Sequence, residues 1–149
     1  IRHVSTAIDG IRFIQHDVMD IDESFVECCD SLSCLHALEH FGLGRYGDVL
    51  DADAWIKGLR NLTQMLEKGG ILYLSVPTGS SQRVEFNAHR VFSVPYLRDV
   101  LSGAFEIERL AFVTDSGDLL PRVSPWGPLA DNSFGADYGC SIWFLRKKH

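Results

Sequence analysis

The sequence predicts an α/β protein built on a wound sheet whose polar residues gather at the carboxyl ends of its strands. Three observations carry this expectation. The apolar run over 31–35 passes directly into the polar stretch His36 to His40, an amphipathic segment of helix length follows over 51–66, and Gly69-Gly70 then lead into a second apolar run over 71–76 that stops at Pro77. Strand, helix, glycine turn and strand in that order are consecutive parts of such a sheet, and ligands bind where its strands end.

The elements are justified in turn. Residues 10–15 alternate apolar and polar side chains as a short strand does, and run into an acidic stretch over 17–23. The run over 31–35, preceded by Asp30, reads as a buried second strand. Between 51 and 66, Trp55, Ile56, Leu59, Leu62 and Leu66 recur at helical spacing, with Asp51 or Asp53 placed to accept first-turn N–H groups. Gly69 or Gly70 supplies the left-handed residue that closes the helix, and 71–76 forms the third strand, ended by Pro77. A polar loop over 78–90 precedes a second helix capped by Ser93, with Pro95 in its first turn and Leu97, Val100 and Leu101 as its buried stripe. Residues 105–113 read as a strand with a bulge at Glu108-Arg109, 115–138 as an extended loop, and 140–145 as a last strand. The final pair, joined by a loop, is expected to form an antiparallel edge on a mainly parallel sheet. The tryptophans Trp55, Trp126 and Trp143 read as packing residues.

A chain of 149 residues holds one sizeable core, so residues 1–149 are read as one domain. Its net charge of -6 offers no basic field for a phosphate backbone, and no apolar run reaches the roughly 18 residues that span a bilayer. Neither nucleic acid nor membrane is an expected partner. Cys28, Cys29, Cys34 and Cys140 form no CxxC pair, which suits a reducing cytoplasm better than a disulfide framework or zinc knuckle. The opening Ile1-Arg2-His3-Val4 reads as a cut edge, not a signal or transit peptide.

Gln15-His16-Asp17-Val18, the stretch Leu35 to His40 and Leu66-Glu67-Lys68-Gly69-Gly70-Ile71-Leu72 resemble successive motifs of the class I S-adenosylmethionine-dependent methyltransferases, with Lys68 standing where that family usually has proline. Gly42-Leu43-Gly44-Arg45-Tyr46-Gly47-Asp48 and Val84-Glu85-Phe86-Asn87-Ala88-His89-Arg90-Val91-Phe92 more narrowly resemble the family called domain of unknown function 268. The resemblance implies a Rossmann-like fold from which the N-terminal strands and glycine loop are missing, since no GxG precedes Gly42. By that analogy Ile1 lies just beyond the second strand, and the chain is a fragment or a copy lacking half its cofactor site. It also implies S-adenosylmethionine as cofactor and methyl transfer to a small-molecule or glycan-like acceptor.

Carried over by resemblance, Asp17 accepts the adenine amino group with Val18 beside it, and Leu35 and His36 line the cofactor with backbone atoms. The alternative for Asp17 is a loop carboxylate that solvates a strand end. Glu39 and His40, with His89, are candidate acid–base residues, because a positioned base contributes about 10²–10⁴-fold in such reactions. The same Glu-His pair equally suits capping of the following turn. Arg45, Tyr46, Asn87 and Arg90 lie on two loops that leave the same rim, where the arginines either fork onto an anionic acceptor or pair with Asp48, Asp51 or Glu85 to hold loops.

Two other function classes are weighed. A catalytically silent Rossmann-like binding module fits the absent glycine loop. His36, Glu39 and His40 also spell H-x-x-E-H, the zinc signature of inverted zincin hydrolases, which requires both histidines on one continuous helix. The glycines at 42 and 44 break such a helix, so no metal site is assigned.

Overall fold

A computed structural model describes residues 8–149; the opening Ile1 to Val4 lies outside them. Strand β1 (Cys29–Leu35) leads through a single 3-10 turn (Leu38–His40) to helix α1 (Ala54–Met65) and the long strand β2 (Leu66–Thr78). A small hairpin, β3 (Arg83–Glu85) and β4 (His89–Val91), precedes helix α2 (Val94–Ala104), strands β5 (Phe105–Val113) and β6 (Leu119–Val123), the short helix α3 (Pro128–Asp131) and strand β7 (Gly139–Lys147).

The main sheet has five strands in the order β1-β2-β7-β5-β6. β1 and β2 are parallel, while β7 runs antiparallel to both β2 and β5, and β6 antiparallel to β5. β1, β2 and β5 therefore point one way. The expectation of a mainly parallel sheet holds for that set of directions but not for neighbouring pairs, because β7 inserts between β2 and β5. The expected pairing of the last two strands forms, yet β7 is central and β6 takes the edge.

Each helix exists for the reason its sequence gives. α1 buries Trp55, Leu59 and Leu62 on one stripe against the sheet, and α2 buries Leu97 and Leu101. Asp51 Oδ1 accepts the N–H of Asp53 at 2.9 Å just ahead of α1, while the first-turn N–H of Val94 in α2 donates to the Ser133 hydroxyl at 3.0 Å rather than to Ser93. Leu72, Leu74, Leu110, Phe112, Trp143 and Leu145 fill the sheet's share of the core. Of the tryptophans, Trp55 and Trp143 are core residues, whereas Trp126 is exposed.

β2 begins at Leu66, not at 71, because residues 67–70 loop out of register between the pairs Cys29 with Leu66 and Ser31 with Ile71. The helix ends at Met65 with Leu66 already extended, so Gly69, at φ 76°, does not close it as expected but gives that bulge its left-handed residue. β2 also passes Pro77 by one residue, since Pro77 opposes Cys140 and Thr78 opposes Gly139. The predicted slip at Glu108-Arg109 is present as a register shift between Ile107 and Arg109.

Two expectations are corrected. Among the described residues, 10–15 enters no strand ladder, although its alternation is strand-like; a strand is made by its neighbour, and no described strand lies on the outer edge of β1. The region 115–138 is not one loop: it holds β6 and α3, the first against β5 and the second beside the start of α2.

Candidate active site

The carboxyl ends of β1 and β2 form one rim, and because β7 is antiparallel its first residues reach that same rim. His36 leaves β1 with a left-handed backbone, φ 48°, its N–H donating to Ser75 O of β2 at 2.9 Å. The chain then coils through the Leu38–His40 turn, so His36, Glu39 and His40 converge although they follow a strand and do not share a helix. The geometry demanded by the zincin signature is thus not met.

Glu39 sits at the centre of the cluster with 1% of its surface exposed. Its Oε1 lies 3.3 Å from His36 Nδ1 and 3.6 Å from His40 Nε2, and its Oε2 is buried with no hydrogen-bond partner among the described residues. The carboxylate therefore faces two imidazoles and does not serve as the cap of the turn. His40 Nδ1 lies 2.6 Å from the Ala88 carbonyl, an acceptor only, which assigns the ring proton to Nδ1 and leaves Nε2 toward Glu39.

The β3–β4 hairpin brings the second loop over this cluster. His89 packs edge-on to His40, ring centroids 6.1 Å apart, and its Nε2 lies 3.0 Å from the Tyr138 hydroxyl. Burial pushes the His89 imidazole below its usual value, and the neighbouring His40 pushes it further. Tyr46, exposed, meets the other side of His40 edge-on at 5.6 Å. Tyr46, His40, His89 and Tyr138 thus form a continuous row of rings.

A cleft of about 600 Å³ opens beside the cluster, within the range of small-molecule sites. Asp17, Val18 and Met19 bound one side, and His36, Ala37, His40 and Tyr46 the other. Asp17 Oδ1 accepts the Met19 N–H at 2.9 Å, which fixes the carboxylate, and Asn61 on α1 donates to Val18 O at 2.7 Å, which holds the turn against the helix. The structure therefore joins Asp17, Val18, His36 and His40 at one cleft, with Glu39 beneath and His89 behind.

Other predicted residues fall elsewhere. Leu35 is exposed at the end of β1 and does not bound the cleft. Arg45 and Asn87 are exposed on their loops. Arg90 is turned inward, only 6% exposed, and donates to three main-chain oxygens: Phe41 at 2.5 Å, Ala52 at 3.2 Å and Glu39 at 3.3 Å. Its fork holds the loops of the site together, the second of the two expected roles, but through main-chain oxygens and not through Asp48, Asp51 or Glu85, and burial keeps its guanidinium below the usual value.

Sequence reading missed Cys140 and Tyr138. Cys140 Sγ lies 3.4 Å from His36 Nε2. The signal was the antiparallel direction of the last strand: such a strand begins at the rim where its parallel neighbours end, so the residues just before and at its start belong to the site.

The family profile described as "Caenorhabditis protein of unknown function, DUF268" matches residues 7–116. No curated protein matches the chain. Solved structures match its fold. The N-methyltransferase NodS from Bradyrhizobium japonicum WM9, in complex with S-adenosyl-l-homocysteine, is 15% identical with a TM-score of 0.53 over 90% of this chain and 53% of its own. The [4+2]-cyclase SpnF is 15% identical with a TM-score of 0.57, over 89% of this chain and 55% of its own. The MccD protein is 11% identical with a TM-score of 0.52, over 89% and 66% respectively. The chain spans about half to two thirds of the length of these proteins.

Proposed function

This chain belongs to the DUF268 family and has a class I methyltransferase-like α/β fold, and from that premise we propose that it binds S-adenosylmethionine and takes part in methyl transfer to a small-molecule or glycan-like acceptor. The observation that carries the reading is the cleft where Asp17 faces His36 and His40 across the strand ends. An acceptor-only carboxylate set beside Val18, Met19 and Ala37 fits a flat base with an exocyclic amine, polar at one edge and apolar on its faces. The structural likeness to NodS, which was crystallised with S-adenosyl-l-homocysteine, adds support at the level of the fold.

When bound, S-adenosylmethionine supplies an electrophilic methyl group. The protein's part is orientation and proton removal. Asp17 and the backbone at Val18 and His36 hold the ligand's flat portion. His40 is the residue suited to accept a proton from an acceptor hydroxyl or amine, with Glu39 stabilising the imidazolium that forms at 3.6 Å. Positioning contributes about 7–11 kcal/mol in reactions of this kind, so a shaped cleft matters as much as the base. The ring of Tyr46 offers the acceptor flat apolar contact beside His40, which His89 backs edge-on.

SpnF is named a cyclase and shares the fold, so the fold by itself does not dictate the reaction. A binding module without turnover is the second reading, which a fold shared by proteins of different chemistry equally accommodates. Calorimetric titration of S-adenosylhomocysteine into the protein and into Asp17→Ala decides the binding step. The proposal expects saturable one-site binding that Asp17→Ala weakens about tenfold or more. Equal binding by both would remove Asp17 from the site, and no binding by either would overturn the reading.

A further inference from the structure

We infer that Cys140, His36 and Glu39 form a second reaction centre in which Cys140 is a nucleophilic thiol, His36 its general base and Glu39 the group that orients the base, and that it takes an acyl ester or thioester. Cys140 Sγ lies 3.4 Å from His36 Nε2, and His36 Nδ1 lies 3.3 Å from Glu39 Oε1. An ionised carboxylate only accepts, so Nδ1 carries the ring proton and Nε2 is left to accept the thiol S–H. Nucleophile, base and orienting acid in that sequence are the arrangement that activates a weak nucleophile.

An independent observation points the same way. Glu39 is 1% exposed and its Oε2 has no hydrogen-bond partner among the described residues, so the fold keeps a carboxylate at a cost while directing its other oxygen at the histidines. The nucleophile and base also differ in access as such a centre requires. The His36 side chain is 51% exposed, and Cys140 is half-buried at the start of β7, opposite Pro77 on rigid strand backbone. Burial and the nearby Glu39 charge push the Cys140 thiol up, so it is protonated at neutral pH and reacts only if a base removes its proton.

The step balances with these groups alone. As Sγ bonds to the acyl carbon, the thiol proton passes to His36 Nε2. The bond from that carbon to the leaving oxygen or sulfur then breaks, and His36 returns the proton to the departing alcohol or thiol. An acyl-Cys140 thioester remains, which water hydrolyses to the acid and the free thiol. The inference does not depend on the methyl-donor reading.

The test uses p-nitrophenyl acetate with the intact protein and no S-adenosylmethionine, following nitrophenolate release and locating the acetyl group by peptide mass mapping. One acetyl group on Cys140 is expected, absent in Cys140→Ser. His36→Asn, a residue that tolerates the left-handed backbone, is expected to slow acylation of Cys140 by about 100-fold or more, with free imidazole restoring part of the rate. Acetylation of Cys28 or lysines with none at Cys140 would overturn the inference. So would an unchanged Cys140 rate in a folded His36→Asn.

Discussion

Arg90 donates through Nη1 to the main-chain oxygen of Glu39 at 3.3 Å, tying the β3–β4 hairpin to the turn that carries the buried carboxylate. The same guanidinium also binds Phe41 O and Ala52 O. Arg90→Lys keeps the charge but cannot reproduce the fork. It is expected to lower unfolding free energy by about 2–4 kcal/mol, read by urea denaturation, because buried carbonyls lose their donors.

His40→Gln tests the base. It keeps a side-chain amide for the Ala88 carbonyl but accepts no proton near neutral pH. Once an acceptor is in hand, methyl transfer is expected to fall about 10²–10⁴-fold, with S-adenosylhomocysteine affinity little changed. A fall in kcat below tenfold would leave His40 with a shaping role only.

His89 sets an acid limb on stability. Its folded value lies below the ordinary 6.5, so on acidification the unfolded chain takes up the proton first. Stability from this group is complete above about 6.5 and is lost as pH falls from there through the lower folded value. Among the groups around the ring, burial is helped by His40 and Arg45 and opposed by Glu39 and Glu85, while the Tyr138 hydroxyl lies 3.0 Å from Nε2. Urea midpoints measured at about pH 7.5 and 5.5 should differ less in His89→Asn than in the parent protein.

Ser141→Ala opens a buried chain of hydrogen bonds. Trp143 Nε1–H donates to Ser141 Oγ at 2.8 Å, and that hydroxyl lies 2.6 Å from Thr78 Oγ1. Leaving these groups unpaired costs about 1–3 kcal/mol, visible as a lower thermal midpoint. Because Cys140 is next in sequence, its alkylation rate should rise in the same variant.

Gly42→Ala acts on the cleft wall. Gly42 has φ 74°, and a Cβ there would collide with the Asp51 carbonyl and the Ala54 side chain. The loop must shift, and a loss of about 1–3 kcal/mol is expected in urea denaturation, with weaker S-adenosylhomocysteine binding because Gly42 bounds the cleft.

What was legible in the sequence was whatever local periodicity or a single backbone requirement decides. The stripe from Trp55 to Leu62 gave α1, the slip at Glu108-Arg109 was visible as such, and the polar run after 35 marked the rim, while the left-handed glycine was foreseen but serves a bulge and not the helix end. What failed depended on partners distant in sequence. The alternation over 10–15 specifies a strand only beside another strand. The inward turn of Arg90 depends on carbonyls at 39, 41 and 52 that no nearby residue announces. Cys140 and Tyr138 were hidden because their role follows from β7 lying beside β2 in the middle of the sheet, where an edge strand was expected.

The position of β7 between β2 and β5 also bears on biosynthesis. Until residues 139–147 leave the ribosome, no described strand pairs the facing margins of β2 and β5, which are left open to hydrogen bonding. Residues 139–147 close both margins at once, so the sheet is completed in one late event, and a nascent chain halted before Gly139 is a candidate for chaperone capture.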